Sequence, residues 1–301
     1  MPLHFTCPHC REQTLVDDRY AGYSGECIQC GRPIVVPGVA TAQQRAVAAP
    51  ARSWFVKLGY WPLILLSGAA VAIAGFGMFT LVMAVVQPAV QAARGNALKT
   101  QCARNLRQIG AAMLAYEVDY GTLPPAYVVD AQGQPQHSWR VLILPYLGPA
   151  EKDLYRQYNF SVPWNAPENT LVMSRMPKVF ACPADKNAQA TFETNYQVIV
   201  GKNSLFTGKT PTRRSQATDG LGHTILVVET SGTATGWLEP KDLIDGVLTY
   251  QVGIDIGGNH AGGANVLMAS GETEFLSINM PPEHVQSLVT PASDEPNPLD
   301  E

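Results

Sequence analysis

The sequence has no charged residue between Lys57 and Arg94, so positions 58–93 lack the polar surface that a water-exposed segment needs. The centre of this stretch, Trp61 to Val86, holds twenty-six apolar or small residues, more than the roughly 20 that cross a bilayer as a helix. A buried helix of a soluble core is the alternative. Because some sixty residues precede the stretch, we expect a single-pass membrane anchor rather than a cleaved signal peptide.

Cysteine is scarce as well, with six in 301 residues, and four of the six form two Cys-x-x-Cys pairs near the N-terminus. The members are Cys7, Cys10, Cys27 and Cys30. Their spacing is typical of a structural zinc site in which four thiolates close the coordination shell. A segment of about 36 residues is too short to build a core alone, so Zn²⁺ would supply its folding energy. Two disulfides or a redox motif are the alternative interpretation.

Clusters of Lys and Arg are absent from this N-terminal segment, which has three basic and four acidic residues in positions 1–37. A phosphate-binding surface needs clustered cations, so we expect no nucleic-acid partner. The net charge of the whole chain, −4, agrees. The segment resembles the small zinc ribbons at the front of many bacterial membrane proteins, through Phe5 to Cys10 and Gly25 to Pro37. We therefore expect a protein contact or a purely structural role.

The chain also lacks a nucleophile elbow, an HExxH helix and a phosphate loop, which disfavours the enzyme classes that use them. We predict no enzyme, no catalytic residue and no cofactor-binding residue other than the metal ligands. The titratable candidates that an extracytoplasmic enzyme would use are His137, His223, His260, Asp219, Glu229 and Asp255. The sharpest of these hypotheses pairs His260 with Asp255 for acid–base work.

Composition divides the chain into five parts. We predict a zinc ribbon at 1–37, a flexible linker rich in Ala and small polar residues at 38–57, and a transmembrane helix at 58–88. A large domain follows at 89–279, and a tail rich in Pro and acidic residues, which we expect to be disordered, at 280–301.

The large domain begins with a helical pattern over residues 94–118. Its apolar positions recur at steps of three and four: Leu98, Cys102, Leu106, Ile109, Met113 and Tyr116. The anchor and this helix are expected to join as one rod with a kink near Pro88. Short β-rich runs then follow in HSWRVLILPYLG, TNYQVIVG, HTILVVET and ANVLMASG. The predicted fold class is α+β, with a long helix packed on a mainly antiparallel β-sheet.

A set of motifs runs through the large domain in a fixed order. They are Gln101 to Gly110, Tyr120 to Tyr127, His137 to Leu147, Tyr158 to Trp164, Cys182 to Asp185, Thr218 to Glu229 and Asn259 to Leu276. Through them, residues 94–278 resemble the bacterial domain of unknown function 1559 family. The resemblance implies a pilin-like N-terminal helix and architecture rather than an activity.

The family's closing signature is His, nine residues, then Asp-Gly. In this chain His260 is followed at that spacing by Ser270 and Gly271, so Ser replaces the Asp and any role for that carboxylate is in doubt. We expect Ser270 and Gly271 at the turn of a β-hairpin.

Cys102 and Cys182 are the two cysteines outside the ribbon. We predict a disulfide between them. The alternative is that both thiols are free and pack as small buried hydrophobic residues. Lys and Arg near the anchor number three before it and four after it, so charge does not fix the orientation. Because zinc thiolates need a reducing compartment, we expect the ribbon in the cytoplasm and the large domain outside the inner membrane.

The preferred function is a membrane-anchored, pilin-like structural or protein-interaction module, with the lipid bilayer and protein partners as contacts and self-assembly left open. The alternative is an extracytoplasmic ligand-binding or sensor domain coupled to the ribbon. Its candidate groove residues are Trp139, Trp164 and Trp237. An enzyme that uses His260 ranks third.

Overall fold

The structure is a computed structural model that describes residues 2–38 and 61–292, with side chains from residue 66 onward in the second range. The predicted linker at 38–57 lies outside the described residues except for Gly38, and so do residues 58–60 of the predicted anchor. The chain divides into two compact units, Met1–Phe79 and Thr80–Glu301.

Two β-hairpins form the N-terminal part of the first unit. Their antiparallel strands are β1 (Leu3–Thr6) with β2 (Gln13–Val16), and β3 (Ser24–Glu26) with β4 (Pro33–Val35). Each hairpin carries one Cys-x-x-Cys pair in its turn. The apolar cluster between them is small: Phe5 and two cysteines are buried, with Val16 and Ile34 packed against them. Apolar burial of this size contributes little, so the cysteines matter for the fold.

One helix, α1 (Trp61–Tyr120), includes Pro88 and runs without a break through the predicted anchor and the predicted amphipathic helix. Its most apolar 18-residue window has a mean hydropathy of 2.3 and no buried residue. The large apolar side chains from Leu66 to Val86 are exposed. A long apolar helix that buries none of this stretch is suited to cross a membrane.

The C-terminal half of α1 has the buried stripe that the sequence predicts. Cys102, Leu106, Ile109 and Met113 are fully buried, whereas Leu98, at the edge of the stripe, is 37% exposed. These residues share one face because steps of three and four residues return to the same side of a helix.

The second unit continues through short elements: β5 (Tyr127–Val129), β6 (Pro135–Ser138), α2 (Trp139–Leu142), α3 (Leu144–Leu147), α4 (Pro149–Gln157), α5 (Thr170–Met173), α6 (Ala188–Thr191), β7 (Tyr196–Gln197), β8 (Ile199–Val200), β9 (Ile225–Glu229), β10 (Leu243–Ile244), β11 (Gly263–Met268), β12 (Thr273–Ser277) and α7 (Pro282–Val289).

Four of these strands form an antiparallel sheet in the order β12-β11-β9-β7. Side chains on β11 alternate between two cores. Leu267 belongs to the core that contains the α1 stripe, whereas Val266 and Met268 belong to the core on the other face, with α7. This alternation is the two-residue period of a strand buried on both faces. The fold is therefore mixed helix and antiparallel sheet, as the sequence predicts.

Two predictions about local structure are wrong. The apolar run Val141 to Leu144 was expected to be strand-like but lies in α2 and α3, where Ser138 caps α2 by accepting a hydrogen bond from the Arg140 N–H. A short continuous apolar run does not distinguish a buried strand from a buried helix. The predicted disordered tail includes α7, whose Val285 and Leu288 are buried against the sheet. Residues 293–301 lie outside the described residues.

A buried ion pair joins α2 to the segment before β10. Arg140 Nη2 lies 2.6 Å from Asp242 Oδ1, and both side chains are at most 1% exposed. The guanidinium also donates to the Tyr196 carbonyl, and Asp242 accepts from the Trp139 indole and the Val198 N–H. Burial lowers the pKa of Arg140 and raises that of Asp242, which marks the desolvation cost of the pair.

Removal of one partner from this pair should therefore be costly. We expect Asp242→Ala to lower the free energy of unfolding by about 3–5 kcal/mol, because it leaves a buried guanidinium without its counter-charge. Asp153→Ala is the control, since Asp153 pairs with Arg156 at the surface, where both side chains are more than 60% exposed, and should cost less than about 1 kcal/mol. Denaturant unfolding of the detergent-solubilised chain measures both. Equal losses would contradict a structural role for the buried pair.

Candidate metal centres

The first group of candidate ligands is the set of four ribbon cysteines. The Sγ atoms of Cys7, Cys10, Cys27 and Cys30 all lie within 4.8 Å of one another. The separation is 3.9 Å between Cys7 and Cys30 and 3.8 Å between Cys10 and Cys27. These distances are far longer than the 2.05 Å of a disulfide bond. They match the roughly 3.8 Å between two sulfurs in a tetrahedral shell with metal–sulfur bonds of about 2.3 Å.

The turn geometry of the two hairpins is what brings the thiols together. Gly31 N–H donates to the Cys27 carbonyl, and Arg11 N–H donates to the Cys7 carbonyl. Gly31 and Arg11 occupy equivalent places in the two turns and have positive φ angles, 66° and 63°. This region of backbone conformation favours glycine. Hydrogen bonds from the Cys10 and His9 backbone N–H groups lower the pKa of the Cys7 thiol to about 6. A backbone hydrogen bond with Glu12 lowers the pKa of Cys10, but burial and the neighbouring thiols outweigh it and raise that pKa to about 12. The four cysteines can therefore bind a metal ion.

The second group of candidate ligands lies inside the second unit. One ligand atom from each of Cys102, Cys182, Glu229 and His260 falls within 4.8 Å of the other three. The two cysteines are at most 1% exposed. The side chains of Glu229 and His260 are 0% and 3% exposed. Two thiols, a carboxyl and an imidazole therefore meet in an interior with almost no access to water. We refer to these four residues as the core cluster.

Each member of the core cluster comes from a different part of the fold. Cys102 lies on the buried face of α1, and Glu229 is the last residue of β9. Cys182 follows a 3-10 turn at Lys178–Phe180, and His260 stands in the loop before β11. The core cluster therefore connects the long helix, the sheet and two loops.

The distances within the core cluster are short. His260 Nε2 lies 3.4 Å from Cys182 Sγ and 3.2 Å from Glu229 Oε1. Although Oε1 is close enough to His260 for an ion pair, it accepts no hydrogen bond of good geometry. The other carboxylate oxygen, Oε2, accepts from the backbone and side-chain amides of Asn265. Oε1 is thus the oxygen of Glu229 that is left for a ligand.

Polar groups hold the thiols in place. The Tyr196 hydroxyl donates to Cys102 Sγ at 3.2 Å, and Asn105 donates in turn to the Tyr196 oxygen. The Cys182 backbone N–H donates to the Asn195 side-chain oxygen at 2.7 Å. These contacts fix the positions of both sulfurs, as outer-shell partners do around metal ligands.

Burial and contacts among the four residues shift the pKa values of the core cluster. A hydrogen bond from the Cys102 thiol lowers the pKa of Cys182 to about 7, against burial and with help from His260. Burial lowers the pKa of His260, but the contacts with Cys182 and Glu229 outweigh it and raise that pKa to about 9. Burial raises the pKa of Glu229, but the same contacts lower it overall. Burial raises the pKa of the Cys102 thiol.

The sequence predictions for these residues have different outcomes. Cys102 and Cys182 are brought together but are free thiols in the structure, so the disulfide is not shown. The proposed His260–Asp255 pair is wrong, because His260 contacts Cys182 and Glu229, whereas Asp255 accepts from the Thr249 hydroxyl and N–H.

The family signature does not form one site. His260 precedes β11. Ser270 and Gly271 form the turn between β11 and β12, which confirms the predicted hairpin. A six-residue strand separates the two ends of the signature by about 20 Å. Ser270 Oγ accepts from the Glu272 N–H in that turn. The replacement of Asp by Ser is therefore remote from His260.

The tryptophans proposed for a ligand groove are in the core. Trp139 and Trp237 are 0% exposed, and their indole N–H groups donate to Asp242 and to the Met173 carbonyl. Trp164 is half-buried and packs against the same core. The groove interpretation is therefore wrong for Trp139 and Trp237.

All four members of the core cluster are among the residues that the sequence singles out, but only Cys102 and Cys182 are predicted there to lie together. Positions 102, 182, 229 and 260 are too far apart for any ligand spacing to connect them. A signal was nevertheless present, because each member lies in a different motif of the resemblance described above.

Residues 91–204 match the model of the family SBP_bac_10, described as "Protein of unknown function (DUF1559)". The match confirms the family identification made from the motifs over these residues, which include Cys102 and Cys182. No curated protein and no solved structure matches the chain.

Glycine at position 258 is what leaves room for the Glu229 carboxyl. A Cβ at Gly258 would lie 2.2 Å from Glu229 Oε1, whereas a Cβ at Gly222 would meet nothing within 4 Å. We expect Gly258→Ala to destabilise the chain by about 1–3 kcal/mol through overpacking, and Gly222→Ala to change stability by less than about 0.5 kcal/mol. Denaturant unfolding measures both variants. A neutral Gly258→Ala would contradict the tight packing of Glu229.

Proposed function

We propose that the chain is a membrane-anchored, pilin-like protein-interaction module with a zinc ribbon at its N-terminus. The observation that carries the proposal is the apolar stretch of α1, whose large side chains from Leu66 to Val86 are exposed throughout. A water-exposed helix with this surface would aggregate, whereas lipid covers it at no cost.

The fold of the second unit supports the pilin-like part of the proposal. The same helix leaves the apolar stretch and packs its next turns, through Leu106 and Ile109, on an antiparallel sheet. A helix that is anchored at one end and buried at the other presents the second unit at the membrane surface. Protein partners and copies of the chain itself are the contacts that we propose for it.

Zinc is the metal that we propose for the ribbon. Four thiolates with sulfur separations of 3.8 and 3.9 Å are a tetrahedral set, which suits Zn²⁺. The ribbon residues include no cluster of Lys or Arg, so we propose a protein contact rather than a nucleic acid as its role.

The same thiolates support the orientation that we propose. A four-cysteine zinc site is maintained most readily in the reducing cytoplasm, and one membrane crossing then leaves the second unit on the outer side of the inner membrane. The sensor alternative loses two of its three groove residues, because Trp139 and Trp237 are in the core.

Cysteine labelling in intact cells tests the anchor and the orientation together. Ser24→Cys and Ser161→Cys each add an exposed thiol, one in the ribbon and one in the second unit. We expect a membrane-impermeant maleimide to label Ser161→Cys in intact cells and Ser24→Cys only after lysis, because the apolar helix separates the two positions.

The unsubstituted chain is the control, since Cys10 is already exposed and sets the background. Labelling of both variants in intact cells, or of neither before lysis, would contradict the proposal, because the span would not separate the two units.

A further inference from the structure

The core cluster contains four potential metal ligands, whereas a buried ion pair needs only two charged groups. A Glu–His ion pair satisfies itself, and two buried thiols can pack as small hydrophobic groups. Here the four are not separate, because His260 Nε2 faces both Cys182 Sγ and Glu229 Oε1. Glu229 Oε1, in a fully buried side chain, points into the same space without a hydrogen bond.

Burial is the second observation. Two thiols, a carboxyl and an imidazole meet in an interior that water hardly reaches. Polar groups in such an interior destabilise the fold unless each meets a partner. A divalent cation would be a common partner for the carboxylate and both sulfurs, with His260 as a neutral ligand.

We propose that Cys102 Sγ, Cys182 Sγ, Glu229 Oε1 and His260 Nε2 bind one zinc ion as a closed, structural site. On binding, Zn²⁺ displaces the thiol protons and the Nε2 proton, which pass to solvent. Four protein ligands complete a tetrahedral shell, so no position is left for a substrate.

The interatomic distances suit this ion. In a tetrahedral shell with metal–sulfur bonds of about 2.3 Å and metal–nitrogen or metal–oxygen bonds of about 2.05 Å, a sulfur and a nitrogen lie about 3.6 Å apart. A nitrogen and an oxygen lie about 3.3 Å apart in the same shell. The observed separations are 3.4 Å for Cys182 Sγ to His260 Nε2 and 3.2 Å for His260 Nε2 to Glu229 Oε1.

The donor set selects the kind of metal. Two thiolates disfavour Mg²⁺ and Ca²⁺, which prefer oxygen ligands, and a mixed set of sulfur, nitrogen and oxygen favours Zn²⁺. Two cysteines alone would also suit a disulfide, but a disulfide gives no reason for His260 and Glu229 to point at the sulfurs.

Two surface grooves border ligands of the site. His260 borders a groove of about 470 Å³ that α1 lines with Gly95, Asn96 and Lys99. Cys182 borders a second groove, of about 350 Å³, beside Gln101 and Asn105.

A metal at this point would fasten α1 to the sheet. Cys102 belongs to the helix that also carries the anchor, Glu229 belongs to β9, and the remaining ligands lie in loops. The site would thus act as the cross-link that a disulfide between Cys102 and Cys182 was expected to provide, with four attachment points instead of two.

The experiment counts metal in the full chain, purified in detergent. In the ribbon variant, Cys7, Cys10, Cys27 and Cys30 are all replaced by Ser, which removes the first site. Elemental analysis should find about two zinc ions per unsubstituted chain and about one per ribbon variant. Adding His260→Ala or Cys182→Ser to the ribbon variant should lower zinc occupancy at least about tenfold.

His223→Ala in the ribbon variant is the matched control. His223 is half-buried, its Nδ1 contacts the Asp219 carbonyl, and it does not belong to the core cluster, so its removal should leave the zinc count unchanged. If the His260 and Cys182 variants fail to fold, Co²⁺ added to the metal-stripped ribbon variant decides. Tetrahedral cobalt with two thiolates gives intense visible bands and sulfur-to-metal charge transfer.

Three results would overturn the proposal. They are a ribbon variant that binds neither zinc nor cobalt, an added His260→Ala that keeps its metal, and alkylation with mass analysis that finds Cys102 and Cys182 joined as a disulfide in the purified ribbon variant. None of them bears on the membrane anchor, so this proposal and the proposed anchor fail independently. Two zinc thiolates in the second unit would remove the redox argument for its outer position, which then rests on the labelling of Ser161→Cys.

Discussion

Compensation of buried charge is the constraint on which the second unit depends. In the described part of this unit, the Arg140–Asp242 pair and the core cluster bring ionisable side chains into the interior, and both join segments that are distant in sequence. The hydrophobic effect that holds α1 against the sheet is non-directional, whereas polar groups in a dry interior must meet their partners or destabilise the fold. We therefore propose that Cys102 and its three partners specify the position of α1 on the sheet together with the apolar stripe.

The proposed anchor and the core cluster share one helix. The large apolar side chains of α1 from Leu66 to Val86 are exposed, and sixteen positions later Cys102 is fully buried. A change at the core cluster therefore acts on the helix that carries the apolar stretch. In the N-terminal hairpins few apolar side chains are buried, and we propose that a metal bound by the four thiols holds the hairpins together.

Periodicity and composition predicted the elements of the fold whose side chains follow a simple repeat. The structure confirms three such predictions: the stripe on α1, the strands in HTILVVET and ANVLMASG, and the turn at Ser270 and Gly271. The run Val141 to Leu144 and helix α7 were missed, since a short apolar run has no readable period and α7 owes its order to burial against the sheet.

The ribbon cysteines could be predicted as a set because they are close in sequence. The core cluster could not, because only the tertiary fold brings residues 102, 182, 229 and 260 together.

X-ray absorption at the zinc edge of the ribbon variant tests the central claim most directly, because it measures the ligands around the metal in the second unit alone. The account predicts about two sulfur neighbours near 2.3 Å and about two nitrogen or oxygen neighbours near 2.0–2.1 Å. A shell of nitrogen and oxygen without sulfur, a shell of four sulfurs, or no bound zinc would contradict it. Any of these would mean that Cys102, Cys182, Glu229 and His260 meet for a reason other than a metal ion.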